Sequence, residues 1–271
     1  IDKNEIKKFG KKVVYSANVD VAKFLDNFLK VITSLKKNFN TYKKNIWLEK
    51  VKSWKKKYPV VLKRYEKQVK INSFNFIEKL SNSISNNACV VTDMGTSFTC
   101  TMQAMKLKNS QRLFTSSGLA AMGFGLPGAI GAFFASKNDP IICITGDGGM
   151  MFNIQELQTI SNYKIPMKIF VIENQGYLTM KLMQVKNFKR YVGSTKKSGI
   201  SFPGLKETSK AFNLKYFKLN KKNMKNQISN ILKYKKSALI EVNMPPEQPL
   251  IPRTQNRLNK DGTFISPRLD D

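Results

Sequence analysis

The sequence contains no histidine. A Ser-His-Asp or Cys-His nucleophile system cannot be built from such a chain, nor can a histidine-ligated zinc or iron site. Acid-base work therefore falls to carboxylates, lysine, tyrosine, a cofactor or another chain. Cysteine is scarce: Cys89, Cys100 and Cys143 form no Cys-x-x-Cys pair and are odd in number. That predicts buried free thiols in a reducing compartment rather than a disulfide framework. Arginine is scarce as well, at six of the 47 basic residues, and with only 18 acidic residues the net charge is +29. Such a charge ordinarily suggests nucleic acid or an anionic membrane. Base readout and bidentate phosphate clamps favour arginine, however, and here lysines are spread through the chain beside abundant Asn and Ile. We read them as solvated positions filled under the codon bias of an AT-rich genome and expect no nucleic-acid partner; residues 36–70, the densest in lysine, are where one would bind. No cationic, apolar and small-residue leader opens the chain, so the expectation is a cytoplasmic protein.

Charge is also absent from Leu113 to Ser136, a run of 24 residues long enough for a membrane span. Five glycines (118, 123, 125, 128 and 131) and Pro127 predict instead a glycine-rich loop entering a buried helix, and no membrane partner is expected.

Two apolar runs of buried-strand length, Ile141 to Thr145 and Lys168 to Ile172, carry the β-branched and aromatic bias of central parallel strands. Between them Ile154, Leu157 and Ile160 fall on one helical face, with Asn153 as a candidate N-cap. The first run stops at Gly146-Asp147-Gly148-Gly149, and the second at Asn174-Gln175-Gly176. In a β-α-β unit both loops lie at carboxyl ends of strands, where open α/β sheets bind ligands, so Asp147 and Asn174 are expected to converge. A carboxylate, an amide oxygen and a backbone carbonyl are the hard donors Mg²⁺ takes, and glycines let N–H groups approach phosphates.

At 271 residues the length suits one large domain, or one domain with a fragment. A short run at residues 12–15 and an amphipathic helix from Asp20, with Val21, Phe24, Leu25, Phe28 and Leu29, are too small to fold alone. Residues 32–66, with Trp47 and Trp54 seven apart, read as a basic helical arm or linker. From residue 67 to about 250 helix and strand alternate: helix near 73–83, strand at 89–92, a short apolar run at 112–115, helix near 126–135, then strands near 215–219 and 238–242 around a helix bearing Met224, Ile228, Ile231 and Leu232. This predicts a three-layer α/β/α domain with a mostly parallel sheet. Prolines at 245, 246, 249 and 252 end regular structure, and residues 251–271 are expected to be a loop-like tail.

Gly123-x-Gly125-x-x-Gly128 matches the dinucleotide fingerprint, with Asp147 where a ribose-binding acid would stand. The fingerprint should follow a strand directly, whereas Ser116 to Met122 intervene and Pro127 occupies the turn. Gly-Asp-Gly followed by Asn at this spacing resembles instead the motif of thiamine diphosphate (ThDP)-dependent enzymes. Phe114-Thr115-Ser116-Ser117-Gly118-Leu119-Ala120-Ala121-Met122-Gly123-Phe124-Gly125, together with Thr92-Asp93-Met94-Gly95 and Asn174-Gln175-Gly176-Tyr177-Leu178-Thr179, is similar to the acetolactate synthase family over roughly residues 67 to 250.

The resemblance implies that Asp147 and Asn174 by side chain and Gly176 by carbonyl hold Mg²⁺, with Gly146, Gly148 and Gly149 at the diphosphate. It implies that Met94, Gly95, Thr96 and Ser97 form the phosphate-side loop, although many relatives carry Gln-His where Thr96-Ser97 stand. Met122 would hold the cofactor's bend, the Ala120 carbonyl would accept from its 4′-amino group, and Tyr177 and Leu178 would border its thiazolium. The implied reaction is decarboxylation of a 2-oxo acid and addition to a second carbonyl compound, pyruvate in both roles for acetolactate synthase. A homodimer or tetramer with sites shared between subunits is also implied. The activating glutamate lies in an N-terminal domain with no counterpart here, so the chain alone is expected to be inactive. Residues 1–31 look like the end of the central domain, so FAD is possible in a full-length protein but is not supported by this chain. Lys181 to Val185 read KLMQV where biosynthetic members place a Trp, which leaves open a relative with a different acceptor. A non-catalytic basic binding module is the remaining alternative.

Overall fold

The computed structural model describes residues 3–10, 14–35, 41–136, 139–254, 257–259 and 261–265. They form two compact units, Ile1–Tyr58 and Pro59–Asp271, the change falling inside the basic arm.

In the first unit α1 (Lys3–Lys8), α2 (Val21–Leu35) and α3 (Thr41–Lys57) are short, largely exposed helices. Asp20 Oδ1 accepts the Ala22 N–H at 2.9 Å and starts α2, whose Val21, Phe24, Leu25, Phe28 and Leu29 stripe is exposed. Trp47 and Trp54 meet edge to face on α3 at 5.6 Å. Of the run at 12–15, Lys12 and Val13 lie outside the described residues, and Val14 and Tyr15 form an exposed bend.

The second unit is built on β1 (Cys89–Thr92), β2 (Arg112–Phe114), β3 (Ile141–Gly146), β4 (Lys168–Glu173), β5 (Lys215–Lys218) and β6 (Ala238–Asn243). They form one parallel sheet in the order β2-β1-β3-β4-β6-β5. Because successive strand residues face opposite ways, the near-continuous apolar runs feed two cores at once. Val90, Ile142, Ile144, Phe170, Ile172 and Ile240 meet α4 (Ser73–Ser83), α5 (Thr96–Ala104) and α11 (Met224–Lys233). Val91, Cys143, Ile169, Val171 and Leu239 meet α6 (Gly125–Ala135), α8 (Glu156–Asn162) and α10 (Leu205–Ala211) on the other face. The result is the three-layer α/β/α arrangement expected. Phe170, fully buried between Phe76 and its strand neighbours, would cost about 3–5 kcal/mol as Ala.

From β1 the chain turns outward to β2, then crosses back so that β3 pairs with the other side of β1. The strand order thus reverses between β1 and β3, which opens a crevice outside their carboxyl ends.

The uncharged run at 113–136 resolves into β2, a short turn and the eleven-residue α6; no helix among the described residues is long and apolar enough to cross a membrane. Two of its glycines serve packing: Cβ atoms added at Gly125 or Gly128 would meet Asp93 or Phe124 at 3.1 and 2.8 Å. The dinucleotide fingerprint is therefore used for helix-sheet contact, with no strand leading directly into it. Asn153 is not an N-cap. The loop at Gly123 presents its carbonyl, Asn153 Nδ2 donates to it at 2.9 Å, and α8 starts only at Glu156. The tail is not all loop either: Arg257–Leu258 (β7) pairs antiparallel with Phe264–Ile265 (β8) around an Asp261-Gly262 turn.

Candidate cofactor and metal site

Asp147 opens the short helix α7 (Asp147–Met151) directly after β3, and its side chain is 5% exposed. Oδ1 accepts the Gly148 N–H at 2.7 Å, while Oδ2 accepts N–H groups of Asn174, Gln175 and Gly176 at 3.0, 2.8 and 3.4 Å. One carboxylate thus ties the end of β3 to the loop after β4, and the two halves of the sequence pattern converge. Burial pushes its pKa above the usual carboxylate range, and the four N–H donors partly oppose that shift.

The loop itself tolerates little else. Gly176 has φ 142°, and an added Cβ would lie 2.2 Å from the Ser194 carbonyl oxygen, to which the Tyr177 N–H donates. Gly148 lies under the Tyr177 ring, whose Cε1 would be 2.3 Å from an added Cβ. The ring in turn packs edge to face on Phe202 at 5.8 Å.

Asn174 carries the most telling atom. It is 3% exposed, and among the described residues its Nδ2 reaches only Met244 Sδ at 3.9 Å and its buried Oδ1 has no hydrogen-bond partner. An unpaired buried acceptor costs about 1–3 kcal/mol. A hard cation beside the Asp147 carboxylate would satisfy it. Among the described residues no group of three or more Cys, Asp or Glu could hold a metal, so a cation here would rely on one carboxylate, one amide oxygen, a backbone carbonyl and oxygens from a ligand. The residues present fit Mg²⁺ with a phosphate ligand.

These groups surround a cavity of about 50 Å³ at the carboxyl ends of β1, β3 and β4. Residues 93–242 match the family described as thiamine pyrophosphate enzyme, C-terminal TPP binding domain. The chain belongs to this family. It is 33% identical over 219 residues to the acetolactate synthase large subunit of Porphyra purpurea, covering 78% of this chain and 36% of that protein. The large subunit from Lactococcus lactis is 30% identical, covering 80% of this chain and 37% of its own length. A shorter stretch is 40% identical to isozyme 2 of Escherichia coli, covering 36% of this chain and 18% of that protein. The chain spans a little over a third of the length of the first two.

As a member of this family, the chain brings most of its motif residues to this cavity. Met94, Gly95 and Thr96 line it from the end of β1, Met122 from the loop before α6, and Gly146 to Gly149 from the β3-α7 turn. Asn174, Gly176, Tyr177 and Leu178 line it from the loop leading into α9 (Leu178–Phe188). Two residues stand apart. Ser97 is fully buried, its hydroxyl donating to the Asp93 and Met94 carbonyls at 3.0 and 2.9 Å, and so caps its own turn. Ala120 is exposed, in the left-handed region at φ 53°, outside the cavity lining. The Gly148 N–H, expected at a diphosphate, is here donated to Asp147.

Two residues that lie in segments named from the sequence, but without an assigned role, support the site. Asp93 is 1% exposed; its Oδ1 accepts N–H groups of Met94 and Gly123 at 2.7 and 2.9 Å, and its Oδ2 accepts the Thr145 hydroxyl at 2.9 Å. It fastens the β1 end, the loop bearing Met122 and the β3 end together. Its position after an apolar strand, like that of Asp147, was the available signal. Lys181 on α9 is 3% exposed, and its Nζ donates to the Asn174 and Pro246 carbonyls at 3.2 and 2.6 Å. Burial pushes its pKa down, opposed by Asp147, Glu247 and Glu173. In the segment where a Trp was expected, Gln184 accepts the Ser194 hydroxyl at 2.6 Å and donates to the Val192 carbonyl at 2.8 Å, holding the loop that backs Tyr177.

Proposed function

We propose that the chain is the diphosphate- and metal-holding part of a ThDP- and Mg²⁺-dependent 2-oxo acid decarboxylating carboligase of acetolactate synthase type, which joins two pyruvates as 2-acetolactate with loss of CO₂. The observation that carries this reading is the buried, unpartnered Asn174 Oδ1 in the loop whose N–H groups hold the Asp147 carboxylate, at the carboxyl ends of β3 and β4. Asp147, Asn174 and the Gly176 carbonyl would hold the metal, with Gly146, Gly148 and Gly149 forming the turn beside the diphosphate. Met94, Gly95 and Thr96 would form the loop on the diphosphate's other side, with Met122 packed against the cofactor between them and the metal-side loop. When bound, ThDP supplies the carbon nucleophile and electron sink of the reaction. Leu178, 2% exposed, and Tyr177 would give the cofactor's thiazolium end an apolar, water-poor wall, the environment that suits decarboxylation chemistry.

The reading includes a cytoplasmic homodimer or tetramer whose partner subunit supplies the activating carboxylate. Exposed Leu119, Met180 and Met183, in segments bordering the cavity, favour such a cover. It also keeps residues 1–31 as the end of a central domain, 32–66 as an arm, 67–250 as the cofactor domain and 251–271 as a tail.

A second reading retains cofactor and metal but changes the acceptor carbonyl compound. It is favoured by Gln184, which takes up a loop-holding role in the segment expected to carry Trp.

The test is CO₂ release and acetolactate formation from pyruvate by the complete polypeptide with ThDP and Mg²⁺. Acetolactate production lost in Asn174→Ala is the expected result. CO₂ release without acetolactate selects the second reading, and turnover unaffected by the substitution overturns both.

A further inference from the structure

The opposite end of the sheet holds a second cavity, of about 660 Å³, a volume typical of small-molecule sites. It lies where β1, β3 and β4 begin, closed by the last turns of α4 and α11. A strand's length, roughly 17–20 Å, separates it from the Asp147 end.

Its wall is apolar: Ile84, Ala88, Phe133, Ile142 and Leu232 line it. Into this wall the sequence sets Lys168, the first residue of β4, only 5% exposed. Its Nζ donates to the Lys236 carbonyl at 2.9 Å and the Pro166 carbonyl at 3.4 Å, and lies 5.9 Å from the Tyr234 ring centre. Burial alone pushes its pKa down to about 8, with no nearby carboxylate restoring it. Carbonyl dipoles solvate the ammonium but leave its charge uncompensated, which is costly in such a place. Ser136 Oγ, on the same lining, is buried with no hydrogen-bond partner among the described residues. Lys233 and Lys235 add positive charge to the lining, whereas Asp139, its acidic member, accepts from Asn87 Nδ2 at 3.1 Å. The cavity thus combines an apolar body, a buried cation without an anion and a spare hydroxyl.

We propose that this cavity is a second ligand site, separate from the cofactor cavity, for a small carboxylate with an aliphatic or aromatic body, its carboxylate accepting from Lys168 Nζ and Ser136 Oγ and its body resting on the Ile84-Leu232 wall. The site accounts for the uncompensated charge and the spare hydroxyl at once. It does not depend on the carboligase reading, since none of its lining residues belongs to the Asp147 end.

The probes are 4-methylpentanoate and benzoate, with neutral 4-methylpentanamide as the control, titrated into the full chain by calorimetry. The carboxylates are expected to bind, the amide to bind more weakly, and Lys168→Met to weaken carboxylate binding by about tenfold or more, the loss of a charge-assisted hydrogen bond. Ser136→Ala should weaken it by a smaller factor. Trace labelling of the unsubstituted protein with acetic anhydride, read lysine by lysine by mass spectrometry, requires no variant to fold: 4-methylpentanoate should protect Lys168 and leave surface lysines unchanged. Equal binding of the amide, or Lys168 labelling unchanged by 4-methylpentanoate, overturns the proposal.

Discussion

Gly148 offers a prediction whose sign reverses with its neighbour. In α7 an alanine should be better than glycine by about 0.5–1 kcal/mol, because glycine loses more backbone freedom on folding. Here the added Cβ would stand 2.3, 2.8 and 3.1 Å from Tyr177 Cε1, Cδ1 and Cζ, and the ring is backed by Phe202. Forcing a methyl into such contact costs roughly 1–3 kcal/mol. Gly148→Ala should therefore lower stability by about 0.5–2 kcal/mol in the native background. With Tyr177→Ala the clash disappears, and the same substitution should raise stability by about 0.5–1 kcal/mol. Urea denaturation of the four proteins of the double-mutant cycle gives the coupling, expected at about 1–3 kcal/mol. A Gly148→Ala effect of the same sign and size in both backgrounds would refute the packing argument, and with it the account of why glycine stands beside Asp147.

Asp93→Asn keeps the shape but replaces an acceptor oxygen with a donor amide, facing N–H or O–H donors. It should cost about 1–3 kcal/mol by urea denaturation, and an unchanged midpoint would remove Asp93 from its supporting role. Lys168 has a folded pKa of about 8 against an ordinary 10.5, so between these values the unfolded chain binds the proton that the folded one lacks. Stability should rise with pH there, by up to about 1.4 kcal/mol per unit, relative to Lys168→Met; parallel curves for the two proteins would contradict the burial assigned to this ammonium. The thiols of Cys89, Cys100 and Cys143 are buried, with Cys100 pushed up to about 12 and the other two also raised. A disulfide reagent should modify them only as the protein unfolds, and rapid reaction under native conditions would show the cores to be open.

Local signals carried far in this chain. Apolar runs at 141–145 and 168–172 sufficed for adjacent central strands, because a strand buried on both faces reads as an unbroken apolar run. The helix expected near 73–83 is α4, though its cap, Asn72 Oδ1 accepting the Phe74 N–H at 3.0 Å, was not named from the sequence. The meeting of Asp147 with the Asn174 loop followed from strand adjacency alone. Legibility ended where a side chain's partner is distant in sequence. Asp93 serves Gly123 and Thr145, 30 and 52 residues on, and Asn153 turns back 30 residues to the Gly123 carbonyl. Neither pairing leaves a periodic or spacing signature. The hydroxyl of Ser97, suited in type to a phosphate, is drawn into its own turn by nearby carbonyls, a competition that residue type does not decide.

The most direct test of the central claim is calorimetric titration of ThDP into the chain with and without Mg²⁺, repeated for Asn174→Ala. The account predicts weak binding that requires the metal and disappears in the variant, because the orphaned Oδ1 is what the cation satisfies. Metal-independent binding of equal strength in both proteins, or no binding of any kind, would contradict it.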